Sequence, residues 1–230
     1  MSLDRPILAA DSAREEDLRP WVSSNSNRWW TPKSSTYLST DCLLPGDVLL
    51  FAPVKPDLGQ EAIGEFQLRS GSPSEHACFT HAALYLDLDH LICESVPFHG
   101  VRYSSLERKL ERNHLLVRRW PALEIRHRHA IAITAARLLE TPYDWKSPLL
   151  AKLKESWGAN WNKEAERGLV CSRLCDRSIS IALLAEGFED VSFHSAPGKF
   201  VTPAVLSETP KLVDVEIGWR SARLSGGTDV

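Results

Sequence analysis

No stretch of this chain is both long and apolar enough to cross a bilayer, so an integral membrane segment is not expected. Cysteine is scarce. The five cysteines, Cys42, Cys78, Cys93, Cys171 and Cys175, are odd in number and lack the pattern of a disulfide scaffold, which fits a reducing compartment. Neither sign of charge dominates: 27 basic residues stand against 30 acidic ones, for a formal net charge of -3. That balance leaves no polyanion-binding footprint and gives a nucleic-acid partner little support. The first twenty residues carry Asp4, Arg5, Asp11, Arg14, Glu15, Glu16 and Asp17 and no apolar core of signal-peptide length. The expectation is a cytoplasmic protein, or one delivered by a dedicated secretion system. Internal repeats and low-complexity tracts are also missing.

What is present is ordinary globular material, 43% hydrophobic and 25% charged over 230 residues, enough for one substantial core. The chain divides into a polar lead over 1–40, docked through aromatics such as Trp21, Trp29 and Trp30, a domain over 41–215 and a flexible tail over 216–230 that includes Ser225 to Thr228. Leu43 to Phe51 reads as a turn into a buried strand, and residues 53–75 as a long loop. Apolar spacing predicts helices from Ile125 to Leu139 and from Cys171 to Glu186, the second ended by Gly187. The basic cluster Arg126, His127, Arg128 and His129 is expected on a solvated helix face. The fold class is α+β. An antiparallel sheet of five or six strands, near Val48, Leu84, Cys93, Val101 and Val117, should carry the Cys171 helix on it.

Three short segments supply the parts of a thiol hydrolase. Cys171 opens an apolar helix, where unpaired backbone N–H groups and the helix dipole favour a thiolate, so it is the candidate nucleophile. His81 starts an alternating strand and can act as base; Glu94, after a short turn, can orient it. His81, Ala83 and Tyr85 share one strand face. If the chain reverses at Leu88-Asp89 through a loop of even length, Leu86 lies opposite Leu91 and Ala83 opposite Glu94, which puts Glu94 on the His81 face and Cys93 on the other. An odd loop would reverse that parity. Cys175, one turn behind Cys171, reads as a small buried hydrophobe.

These segments, with Pro45-Gly46-Asp47 and Pro142-Tyr143-Asp144-Trp145, resemble the NlpC-type branch of papain-like hydrolases, but in rotated order: Gly-Asp strand, Thr80-His81, then Cys171-Ser172. The order resembles the circularly permuted, YiiX-like group of that superfamily, over residues 43 to 206. The resemblance implies a circularly permuted papain-like fold, a Cys171, His81 and Glu94 triad and a substrate-pocket tyrosine at Tyr143. Tyr85, Ser172 and Arg173 join Tyr143 as candidate substrate contacts. Arg173, where the family has an acidic residue or glycine, places a cation that favours an anionic substrate group.

The implied reaction is cleavage of amide bonds, in peptides or cell-wall-like peptides, through a thioester. Two alternatives stay open: a lipid-directed thiol esterase or acyltransferase, and a non-catalytic module that binds a small ligand or lipid in the same groove. No cofactor is called for. A zinc site from His76, Cys78, His81 and Cys93 is disfavoured because the spacing matches no standard motif and strand alternation scatters the side chains. Trp145, Trp157 and Trp161 either wall the groove or pack an insertion.

Overall fold

The computed structural model describes residues 42–88, 90–144, 169–193 and 200–216, together with short strands at 7–8, 36–38 and 219–221. Ile7–Leu8 (β1) and Thr36–Leu38 (β2) come from the N-terminal lead. The principal sheet begins with Val48–Pro53 (β3), apolar and buried throughout, as a strand covered on both faces must be. It continues through His81–Tyr85 (β4), Leu91–Val96 (β5), Gly100–Ser105 (β6), Asn113–Arg119 (β7) and Val213–Asp214 (β8), with every pair antiparallel. The spatial order is β6-β5-β4-β3-β7-β8. Trp219–Ser221 (β9), in the segment expected as a tail, pairs with β2, which pairs with β1 in a separate three-stranded sheet. Trp21, Trp29, Trp30, Trp145, Trp157, Trp161 and Ser225 to Thr228 lie outside the described residues.

The described helices are Leu58–Arg69 (α1), Ser74–Ala77 (α2), Leu106–Leu110 (α3), Ile125–Arg137 (α4), Cys171–Ala185 (α5) and Pro203–Glu208 (α6). One face of the sheet, with Val48, Leu50, Ala82, Leu84 and Cys93, packs against Ile131 and Ala135 of α4, Leu174 and Ile179 of α5 and Leu206 of α6. The other face, with Leu49, Phe51, Ala83, Tyr85 and Ile92, packs against Leu106 and Leu110 of α3. The alternation along β4 therefore sorts its side chains between two cores.

Two readings are corrected. Residues 53–75 are mostly helical rather than a loop: Asp57 accepts from the Gln60 amide N–H at 2.8 Å and the Gln60 side chain accepts from the Asp57 N–H at 2.9 Å, a capping box that starts α1 despite Gly59 and Gly64. The cluster at 126–129 is not one solvated face. Arg126 and His129 are exposed, whereas His127 is buried edge-on against the Phe188 ring and Arg128 is buried with its guanidinium on Trp120 O at 2.6 Å.

The turn into β3 is fixed from both ends. Gly46 takes φ +80°, and a Cβ there would crowd Arg128 O and Ile131 at 3.3 Å. Fully buried Asp47 accepts from the Leu44 N–H at 2.8 Å, from Arg119 Nε at 2.8 Å and Nη2 at 2.6 Å, and faces Arg128 Nη1 at 3.5 Å. This carboxylate ties β3, β7 and α4 together at the end of the sheet away from His81. Near His81, Gln67 of α1 donates to Ala77 O at 2.8 Å and Phe79 O at 2.9 Å and accepts from the Ala204 N–H at 2.9 Å. It fixes the approach to β4.

Candidate active site

The β4–β5 register is the one an even loop requires: Ala83 lies opposite Glu94, Leu84 opposite Cys93, and the Leu86 N–H donates to Leu91 O. Glu94 and His81 thus share a face, and His81 Nε2 lies 2.7 Å from Glu94 Oε2. Helix α5 lies against the opposite face. His81 is the first residue of β4, and at that end of the strand its imidazole bridges the two sides.

Cys171 is the first residue of α5, preceded by Val170 in extended conformation with no side-chain cap. A helix start of this kind favours negative charge. Burial by itself would push the Cys171 thiol up, but the adjacent His81 charge, a hydrogen bond with its ring and the N–H groups of Ala82 and Ser172 together hold it below the ordinary value. For His81, burial favours the neutral ring, and the contacts with Cys171 and Glu94 outweigh it and raise its pKa. With Nε2 on Glu94, the ring leaves Nδ1 for the sulfur. Cys171 is only 8% exposed. The two shifts run in opposite directions, the thiol down and the imidazole up, which is the arrangement that favours a thiolate beside an imidazolium.

Glu94 is completely buried, yet its pKa is well below the carboxylate range: burial opposes ionisation, and His81 and Lys109 overcome it. Lys109 Nζ of α3 stands 2.5 Å from Oε2, Arg102 Nη2 of β6 stands 3.4 Å from Oε1, and the Ser104 hydroxyl donates to Oε1. None of these three was anticipated. Arg102 and Ser104 follow from strand alternation once Arg102 is known to pair with Glu94, whereas Lys109 comes from a five-residue helix with no sequence signal of its own.

Tyr143 lies close enough to Cys171 for the thiolate charge to raise its pKa, although burial is the larger cause. It forms a parallel bridge with Leu169, and Ser95 of β5 donates to Leu169 O at 2.6 Å. The segment entering Cys171 is thus anchored to both. Tyr85 is different. It sits four residues along β4 from His81, about 13 Å away at strand rise, inside the second core, where burial followed by Asp87, Asp47 and Cys42 pushes its pKa up to about 12. The structure does not bring it to the thiol. Ser172 is buried with its hydroxyl on Val201 O at 2.7 Å, so only its backbone N–H serves the sulfur. Arg173 is half-buried on the first turn of α5. Cys175 is buried behind Cys171 and its pKa is raised, with burial the main cause; burial likewise pushes Cys93 up to about 12.

Gly100 sets the distance between β6 and the Tyr143 segment. It takes φ +67°, and a Cβ there would lie 2.3 Å from Thr141 O, which itself accepts from the Val101 N–H at 2.9 Å. Gly100→Ala is expected to cost about 2 kcal/mol or more in urea unfolding, because strained backbone and a backbone clash add. It should also slow Cys171 alkylation by moving Tyr143 and Leu169.

Comparison with solved structures finds a crystal structure described as metalloprotein YiiX from Escherichia coli O157:H7, at TM-score 0.50 and 17% sequence identity, covering 77% of this chain and 98% of that chain. The fold is similar to that of YiiX. No protein-family model matches the chain, and no curated protein matches it by sequence. Among the described residues, no group of three or more His, Cys, Asp and Glu side chains is placed to hold a metal ion, and no helix is long and apolar enough to cross a membrane.

Proposed function

We propose that this chain is a thiol hydrolase of the NlpC-type, circularly permuted papain-like group, cleaving amide bonds through Cys171, His81 and Glu94. The observation that carries this reading is the His81 ring held between the Glu94 carboxylate at 2.7 Å and the Cys171 sulfur at the start of α5. The YiiX-like fold is compatible with this reading as a precedent of shape alone.

In this reading the Cys171 thiolate attacks the substrate carbonyl carbon, and the developing oxyanion is met by N–H groups at the start of α5. The His81 imidazolium gives its proton to the leaving nitrogen as the C–N bond breaks, leaving a thioester and neutral imidazole. Water then adds to the thioester with its proton passing to His81; the acid leaves, and the thiolate–imidazolium pair is restored. Glu94 keeps the ring in place throughout. Arg173 and Tyr143 lie on the segments nearest the sulfur and are the proposed contacts for a substrate carboxylate; Tyr85 and the Ser172 hydroxyl are not proposed.

The YiiX neighbour is described as a metalloprotein. Among the described residues no group of side chains is placed to hold a metal ion, and both Glu94 oxygens are already engaged by Lys109, Arg102, Ser104 and His81. The test is a substrate panel of short peptides, cell-wall peptide fragments, short-chain thioesters and phospholipids. Cys171-dependent cleavage of a peptide amide is the expected result; release of fatty acid with no peptide cleaved would make the lipid-directed reading the correct one.

A further inference from the structure

We propose that Lys109 is a positioning residue of this site: by sharing Oε2 of Glu94 with His81, it keeps the carboxylate ionised while limiting its hold on the imidazolium proton. The inference rests on the triad reading above. His81 Nε2 at 2.7 Å and Lys109 Nζ at 2.5 Å converge on the same oxygen, in a carboxylate with no exposure to water.

A buried carboxylate whose sole partner was an imidazole would hold that ring protonated over a wide pH range. A cation on the same oxygen opposes this. Among the described residues, the charged groups facing His81 are Cys171 from α5 and Glu94 from β5, which favour the imidazolium, and Lys109 from α3, which disfavours it; Arg102 of β6 acts on Oε1 of Glu94, and the neighbour on β3 is the uncharged Phe51 ring at 5.9 Å. The balance matters in the second half of the cycle. Thioester hydrolysis needs a neutral His81 to take a proton from water, so a ring held too firmly as imidazolium slows release of the acyl group.

Lys109 is well placed for this and little used otherwise. The helix that carries it is anchored by Leu106 and Leu110, both buried, so the fold of α3 does not depend on the ammonium group. A purely structural Lys109 predicts no change in the titration of His81 on substitution.

The test follows the His81 imidazole by long-range proton–nitrogen NMR against pH in the full chain, with and without Cys171→Ala. Lys109→Met should move the His81 midpoint upward in both backgrounds, and Lys109→Arg should return it to its original position. Lys109→Gln should shift it in the same direction as Lys109→Met and stands in for it if the methionine variant does not fold. An unmoved midpoint in a folded neutral variant overturns the proposal. A midpoint indifferent to Cys171→Ala overturns the triad reading instead, and the proposal with it, so the two failures appear in different pairs of spectra.

Discussion

Cys171→Ala is expected to reduce turnover by about four to six orders of magnitude, the scale on which nucleophile removal acts in a triad, with the urea midpoint close to that of the parent. In the proposed mechanism this sulfur makes the covalent bond, and Cys78, Cys93 and Cys175 are poor substitutes, because all three are buried and burial raises their pKa values. His81→Ala should be nearly as severe. Glu94→Gln is expected to fall between, and to cost stability as well as rate, because the neutral amide leaves Lys109 and Arg102 facing a site that was built around a carboxylate. Steady-state kinetics on the amide substrate, with urea unfolding of the same preparations, separates these outcomes. Retained turnover in Cys171→Ala would remove the covalent mechanism.

The largest effect on folding is expected at Asp47. Removing this fully buried carboxylate as Asp47→Ala leaves Arg119 and Arg128 without their shared partner and should cost about 3–5 kcal/mol, the usual consequence of breaking a buried ion pair from one side. Asp47→Asn should be milder, since it still accepts from the Leu44 N–H and Arg119. Urea unfolding checks the difference. A loss within about 0.5 kcal/mol, typical of a surface position, would show that this network does not hold β3, β7 and α4.

How much of this could be read from the residues depends on how far apart in sequence the causes lie. The alternation of Ala82, Leu84 and Leu86 against His81, Ala83 and Tyr85, with an even turn, gives the pairing of Ala83 with Glu94 because each step is local. The apolar spacing of α5 and the Gly187 stop, at φ +82°, are local in the same way. Helix α1 was missed because its apolar face is weak and two glycines interrupt it; the Asp57 and Gln60 capping pair was the available signal. The buried side of the 126–129 cluster was missed because its partner, Asp47, is some eighty residues away. Lys109 was missed for the same reason: the sheet brings α3 onto Glu94, and nothing within residues 106–110 announces that contact. Tyr85 illustrates the opposite error, since sharing a strand face with His81 is not the same as sharing a site.

The ionisation state of Cys171 is measured, without any substrate, by the rate of its alkylation by iodoacetamide against pH. Because the His81 partnership holds the thiol below its ordinary value, the thiolate is present above the lowered pKa and lost only as pH falls through it. Alkylation of Cys171, located by peptide mapping, should therefore rise at a lower pH than that of an ordinary thiol, whose pKa is about 8.5. In His81→Ala the same rise should move up to the ordinary thiol range or beyond, because burial then acts with only the backbone N–H groups against it. A single rise near pH 8.5 in both proteins, or reaction at Cys42 ahead of Cys171 below that pH, would contradict the account.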